Sequence, residues 1–304
     1  MPDATVRVPA TSANLGPGFD CLGLALDLLD QVSATVVDQP GVRVEVSGEG
    51  AGEVATGEDH LVVRALQATL GKLGAPMPRG LLLHATNRVP HGRGLGSSAA
   101  AVVAGVLLAR TLVGASSSDL DDDDVLALAM TFEGHPDNAA AALLGGATIA
   151  WVQDGQPRAA RVAVHSDIVA LVLLPTGRLA THHARAVLPA GVSHQDAAAN
   201  AGRTALLVHA LSSEPALLLP ATEDRLHQRQ RRAAMPATLD LVDRLREDGL
   251  AAVVSGAGPA VLVLSTIARC ESDVQLMTAL TSRLATWQLI SPGLRSLPAC
   301  VEAG

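Results

Sequence analysis

Three alternating glycines restrict what this chain can fold into more than any other feature. Residues 89–106 read Val-Pro-His-Gly-Arg-Gly-Leu-Gly-Ser-Ser-Ala-Ala-Ala-Val-Val-Ala-Gly-Val, with Gly92, Gly94 and Gly96 ahead of Ser97 and Ser98. Glycines in such a row allow positive φ and a close backbone approach to a ligand. The stretch from Ser98 to Arg110 is rich in Ala, Val and Leu and reads as a tightly packed helix. A glycine loop feeding a helix N-terminus offers free N–H groups and partial positive charge, which suit phosphate. Ser98 adds a hydroxyl able to reach a phosphate-bound Mg²⁺. The Walker loop is excluded because no Lys follows the glycines, and the dinucleotide loop because Ser97 stands where a third Gly belongs. The His-Arg-Asp and Asp-Phe-Gly triplets of protein kinases are absent from the sequence.

A chain of 304 residues with 48% hydrophobic and 17% charged residues can bury a sizeable core. Aromatic residues are only 1%, so Ala, Val and Leu must fill that core. The net charge of −8, without a long basic tract, argues against a nucleic-acid or acidic-membrane partner. Cys21, Cys270 and Cys300 match no metal spacing and fit a reduced, cytoplasmic compartment. The first ten residues lack a signal-peptide pattern, and Gly, Pro or charge breaks every apolar run before it could span a membrane.

Along the chain, Thr5–Pro9 reads as a short strand and Pro9–Asp20 as a loop dense in turn formers. Asn14 and Asp20 on that loop either bond their own turns or grip an amine or hydroxyl. Gln31–Val37 and Gly41–Val46 read as strands separated by a Pro-Gly turn. Leu61–Leu73 reads as a helix, and Gly80–Thr86 as a strand entering the glycine loop. Five Asp in the six residues 119–124 read as the solvated cap of a helix over Val125–Thr131. The crowded bend Phe132-Glu-Gly-His-Pro-Asp-Asn138 places Glu133 and Asp137 where they can hold Mg²⁺, with His135 or Asn138 facing a substrate. Arg185 is suited to clamp a carboxylate, whereas His182 and His183 diverge too much for a metal pair. Charged residues over Glu223–Arg232 read as a solvated helix face. Ala251–Leu264 reads as strand, second glycine turn and strand, with Gly256 and Gly258 free to approach a ligand or the first loop.

Three motifs in order, Pro9–Asp20, Pro90–Ala101 and Ser255–Leu264, resemble those of the GHMP kinases, a family that includes galactokinase and mevalonate kinase. Pro-Ala-Thr-Ser-Ala-Asn-Leu-Gly-Pro-Gly-Phe-Asp, Glu-Gly-His-Pro-Asp-Asn and Thr-x-x-x-Arg-x-x-Leu-Pro are most similar to the branch that phosphorylates L-homoserine. The resemblance implies an α+β or α/β two-domain fold, divided at 1–158 and 159–304, with ATP and substrate between the domains. It implies that Pro90, His91, Gly92, Arg93, Gly94, Leu95, Gly96, Ser97, Ser98, Ala99 and Ala100 form the ATP loop. His60 stands where relatives often place Asn against adenine. Ser98 and Glu133 match Mg²⁺ ligands. Asn14, Asp20, His135, Asp137, Thr181, Arg185 and Arg231 match the substrate pocket, Arg185 and Arg231 at its carboxylate. Arg231 lies in Arg-Gln-Arg-Arg rather than the usual Pro-Tyr-Arg context. The resemblance supplies no general base, and it implies a homodimer.

Overall fold

The computed structural model describes residues 4–116, 118–282 and 286–303. In chain order its elements are β1 (Ala4–Asn14), β2 (Gly18–Val36), β3 (Gly41–Gly48), α1 (Leu61–Lys72), β4 (Gly80–Asn87), α2 (Ser97–Leu112), α3 (Asp122–Glu133), α4 (Asp137–Leu144), β5 (Ala147–Gln153) and β6 (Gln156–Val162). Then come β7 (Ile168–Pro175), α5 (Thr181–Ala186), α6 (His194–Ser212), α7 (Leu218–Ala221), α8 (Pro236–Glu247), β8 (Ala251–Val254), β9 (Val261–Thr266), α9 (Ile267–Thr281), β10 (Trp287–Ile290) and β11 (Cys300–Ala303). No helix among the described residues is long and apolar enough to cross a membrane.

A seven-stranded sheet runs β11-β1-β2-β4-β3, with β5 on the first half of β2 and β6 on β5. A four-stranded sheet runs β10-β7-β9-β8. The chain leaves the large sheet after β6 and returns to it in β11, which pairs with β1. A division at 158/159 therefore falls within β6, whose register with β5 extends to Val162.

The sequence pattern explains the layers. Helix α2 is apolar nearly all round, as a fully enclosed helix must be, and ten of its sixteen residues are buried. Its small side chains let α1 come close: a Cβ on Gly105 would lie 2.3 Å from the Val62 carbonyl oxygen. Ala, Val and Leu build the core between these helices and the large sheet, as the scarcity of aromatics requires. Helix α3 begins with a capping box between Asp121 and Asp124, so the acidic run is indeed a cap.

Two local expectations change. Strand β1 continues through Asn14 and β2 begins at Gly18, so the turn-rich segment is mostly extended and bends only between them. The Pro40-Gly41 turn closes no hairpin, because β4 lies between the two strands, antiparallel to β2 and parallel to β3. A parallel pair needs a crossover, and α1 supplies it.

Asp30, in β2, anchors the entrance to the glycine loop. Its Oδ1 accepts the N–H groups of Arg88 at 2.6 Å and Val89 at 2.8 Å. Burial outweighs these two bonds and raises the carboxyl pKa from 3.8 to about 6. The folded state thus holds a proton that the unfolded state has released, so stability falls as pH rises from about 4 to about 6 and stays lower above that window. Asp30→Asn keeps the acceptor and removes the charge. It is expected to stabilise the protein at pH 8 by up to about 3 kcal/mol, with the gain vanishing near pH 4. Thermal melts across that range test this, and an equal effect at both ends would reject it.

Candidate active site

The glycine loop meets β1 and the turn between β8 and β9. The Gly94 carbonyl accepts a hydrogen bond from Ser255 Oγ at 2.7 Å, and a Cβ on Gly94 would lie 2.2 Å from the Ser255 carbonyl oxygen. The N–H of Gly256 donates to the Ala13 carbonyl at 3.1 Å, and that of Thr11 to the Leu95 carbonyl at 3.0 Å. The three motif segments therefore converge, and the second glycine turn does approach the first. Gly96, at φ 69°, is the N-cap of α2 and bonds no N–H group of the first turn through a side chain. No acidic residue lies in that turn. The helix start is left as an open anion receptor.

Two cavities meet there, and Gly92, Ser97 and Ser98 line both. The first, about 160 Å³, is also lined by Asn14, Pro90, Gly94, Leu95 and Gly96 from the loop side and by Glu133, His135, Asp137, Thr181, Arg185 and Arg231 opposite. The second, about 370 Å³, is mostly apolar and holds Asp30, His60, His91 and Ala100. Burial lowers the pKa of both histidines, so two neutral imidazoles face a space suited to a base. Arg93 and Ala99 line neither cavity: Ala99 is fully buried, and Arg93 contributes its carbonyl to the Ala260 N–H at 3.1 Å.

Ser98 Oγ donates to Glu133 Oε1, so the two expected metal ligands are in direct contact. Glu133 is the last residue of α3, which has no basic residue in its final turn. A carboxylate at the negative end of a helix calls for a cation. The donor set, a hydroxyl and a carboxylate beside an anion receptor, fits Mg²⁺.

At the other end, Arg185 grips Asp20 through two bonds, Nη2 to Oδ1 at 2.5 Å and Nη1 to Oδ2 at 3.1 Å. Asn14 is buried; it donates to the Gly256 carbonyl at 2.8 Å and accepts the Asp20 N–H at 3.0 Å. It therefore fixes the loop that carries Asp20. His135 Nδ1 bonds Asp137 Oδ1 at 2.8 Å. Burial opposes protonation of His135, but the bond and charge of Asp137 prevail and raise its pKa. Ligand atoms of Asp20, His135 and Asp137 all lie within 4.8 Å of one another.

The segment 223–232 departs from expectation. It is folded inward rather than solvated: Asp224, His227, Gln228 and Arg231 are buried, and Arg231, at 1% exposure, is the most enclosed arginine among the described residues. Arg231 donates from Nε to the Ala184 carbonyl at 3.1 Å and from Nη1 to the Gly256 carbonyl at 3.2 Å and His227 Nδ1 at 2.9 Å. All these acceptors are neutral. Burial and the nearby Arg185 lower its pKa to about 10, and it stays charged at neutral pH. Sequence reasoning missed Asp30, Phe19 and His227. The signal for Phe19 was present: it is one of only two Phe in the chain and directly precedes Asp20.

Comparison with known proteins bears on this site. Residues 60–146 match the model of the GHMP kinases N terminal domain, and residues 204–273 that of the GHMP kinases C terminal. Homoserine kinase of Clavibacter michiganensis subsp. michiganensis is 56% identical over 261 residues, 86% of this chain and 82% of that protein. Homoserine kinase of Streptomyces avermitilis is 52% identical over 271 residues, 89% of this chain and 88% of that protein. The crystal structure of homoserine kinase from Cytophaga hutchinsonii superposes with a TM-score of 0.86 at 28% identity, covering 99% of this chain and 98% of that one. The chain belongs to the GHMP kinase family, on its homoserine kinase branch.

Proposed function

We propose that this protein transfers the γ-phosphoryl group of ATP to the side-chain hydroxyl of L-homoserine, giving O-phospho-L-homoserine and ADP for L-threonine biosynthesis in the cytoplasm. The observation that carries the substrate reading is a buried, charged Arg231 lining one cavity with Arg185, whose guanidinium is paired with Asp20. A substrate that is both carboxylate and ammonium fits between these groups. Its carboxylate takes Arg231 and Arg185, and its ammonium takes Asp20 with Asp137 nearby. Asp20 and Arg185 then exchange each other for the substrate. The chain of the substrate points its hydroxyl toward the first turn of α2.

The open N–H groups of that turn and the glycine loop hold the ATP phosphates, and the apolar second cavity takes the base. Ser98 and Glu133 would hold Mg²⁺, which neutralises phosphate charge when bound. In the transfer, the hydroxyl oxygen forms the new bond to the γ-phosphorus. The bond to the β–γ bridging oxygen breaks and its electrons leave with ADP, while the hydroxyl proton is released to solvent. Phosphoryl transfer asks mainly for position and charge neutralisation, so no side chain is assigned as general base.

An ADP-release assay with Mg-ATP and L-homoserine, L-threonine, L-serine or mevalonate is expected to show selective turnover of L-homoserine. Turnover of mevalonate instead would reject the ammonium site at Asp20. Arg185→Ala and Arg231→Met are each expected to lower kcat/KM for L-homoserine about a hundredfold, with little change in KM for ATP. Unchanged homoserine kinetics in both would overturn the substrate pose. Ser98→Ala and Glu133→Gln are expected to weaken MgADP binding about tenfold while leaving metal-free ADP binding nearly unchanged, as read by titration calorimetry. Equal weakening with and without Mg²⁺ would remove these residues as metal ligands.

A further inference from the structure

His227 is fully buried in the segment 222–232, and nothing in the reaction outlined above uses it. Both of its ring nitrogens are engaged. Nε2 lies 2.8 Å from the Gly16 carbonyl oxygen, and Nδ1 lies 2.9 Å from Arg231 Nη1. A carbonyl can only accept and a guanidinium can only donate. The ring is therefore neutral, with its proton on Nε2 and its lone pair on Nδ1. The Asp224 carboxylate, 3.7 Å from Nε2, is too distant to take that proton. Asp224 instead accepts the N–H groups of Leu226, His227 and Gln228 at 3.0, 3.1 and 2.8 Å, which fixes the turn that presents the ring. Burial and the Arg231 charge keep the His227 pKa low against the pull of Asp224, in accord with the neutral form.

The ring is also clamped from one face. Phe19 stacks on His227 with centroids 5.0 Å apart, and the same Phe carries the guanidinium carbons of Arg185 at 5.4 Å and Arg231 at 5.6 Å. Nη2 of Arg231 has no protein acceptor among the described residues, while Nε and Nη1 are held. We infer that His227 is a positioning residue: as a neutral acceptor it turns the guanidinium of Arg231 so that Nη2 is kept free for the substrate carboxylate. A carboxylate in its place would itself neutralise the arginine, as Asp20 does for Arg185. A neutral acceptor directs the guanidinium and leaves its charge available.

This inference rests on the reading of Arg231 as a carboxylate receptor, and the test separates the two. Asn places an amide oxygen where Nδ1 sits, whereas Gln places an amide where Nε2 sits. His227→Asn thus keeps the acceptor for Arg231, and His227→Gln keeps the tie to Gly16. In the full-length protein, His227→Gln is expected to raise KM for L-homoserine about thirtyfold, and His227→Asn about threefold or less, with kcat and KM for ATP nearly unchanged in both. The reverse order, or equal losses in both variants accompanied by equal loss of thermal stability, would reduce His227 to a structural tie and overturn the inference. The wild-type protein separates the failures. If it does not phosphorylate L-homoserine, the proposed reaction fails; if it does and the two variants share one KM, only the role of His227 fails.

Discussion

The open first turn of α2 is the constraint on which the rest of the structure depends. Two helices in this chain treat their N-termini oppositely. Helix α3 has three acidic residues in its first turn and a reciprocal capping box, which satisfies the N–H groups of Asp121 and Asp124 within the protein. Helix α2 begins after a left-handed glycine, with no side-chain cap and no acid. Its start borders both cavities, with Gly96 held against the Thr11 side chain and Asn138, Ser97 part-buried and Ser98 exposed. Donors that no cap occupies and that border a cavity are available to an anionic ligand. Both cavities meet at this point.

Charge is distributed around that point with a clear division of labour. Arg185 and Asp20 neutralise each other, so the protein without substrate does not expose two opposed charges at a part-buried site. Arg231 is solvated by carbonyls and an imidazole, which hold it without cancelling it. A zwitterion can therefore replace the first pair charge for charge and add the second cation to its carboxylate. A ligand with only one of the two charges would leave a partner of the broken pair uncompensated, which is where selectivity against simple hydroxy acids would come from.

How much of this was legible in the sequence follows from the range of each interaction. Local signals read well: the acidic cap of α3, the helix over Leu61–Lys72 and the strand-turn-strand over residues 251–264 depend on near neighbours. The glycine loop and the serine at its end were legible because φ and close approach restrict residue type directly. Strand order was not, since β4 enters between β2 and β3 only through a crossover. The inward fold of residues 223–232 was not either. A run with Glu, Asp, His and four Arg looks solvated until tertiary partners such as Gly16, Ala184 and Gly256 accept its donors. The same limit explains His227, whose partners lie 211 residues away at Gly16 and four away at Arg231.

Locally unfavourable features gather near the site and are sparse elsewhere. Asn14, Leu15 and Asp20 adopt positive φ at 69°, 49° and 53°, three of the four non-glycine residues to do so among those described. Asp30 is a carboxylate buried without a cation beside the loop entrance. Glu133 sits at the wrong end of a helix dipole, and Arg231 is a buried cation whose hydrogen-bond acceptors are all neutral. Each would be improved by a simpler residue if stability alone were at stake. They persist because the Ala, Val and Leu core on either side of the large sheet, packed closely enough to need Gly105, holds the segments that carry them. The backbone is over-determined by that packing, so side chains at the cavity are free to be placed for a ligand rather than for the fold. A phosphoryl-transfer site, which works by holding charge in fixed positions, requires that arrangement of rigid support and unsatisfied groups.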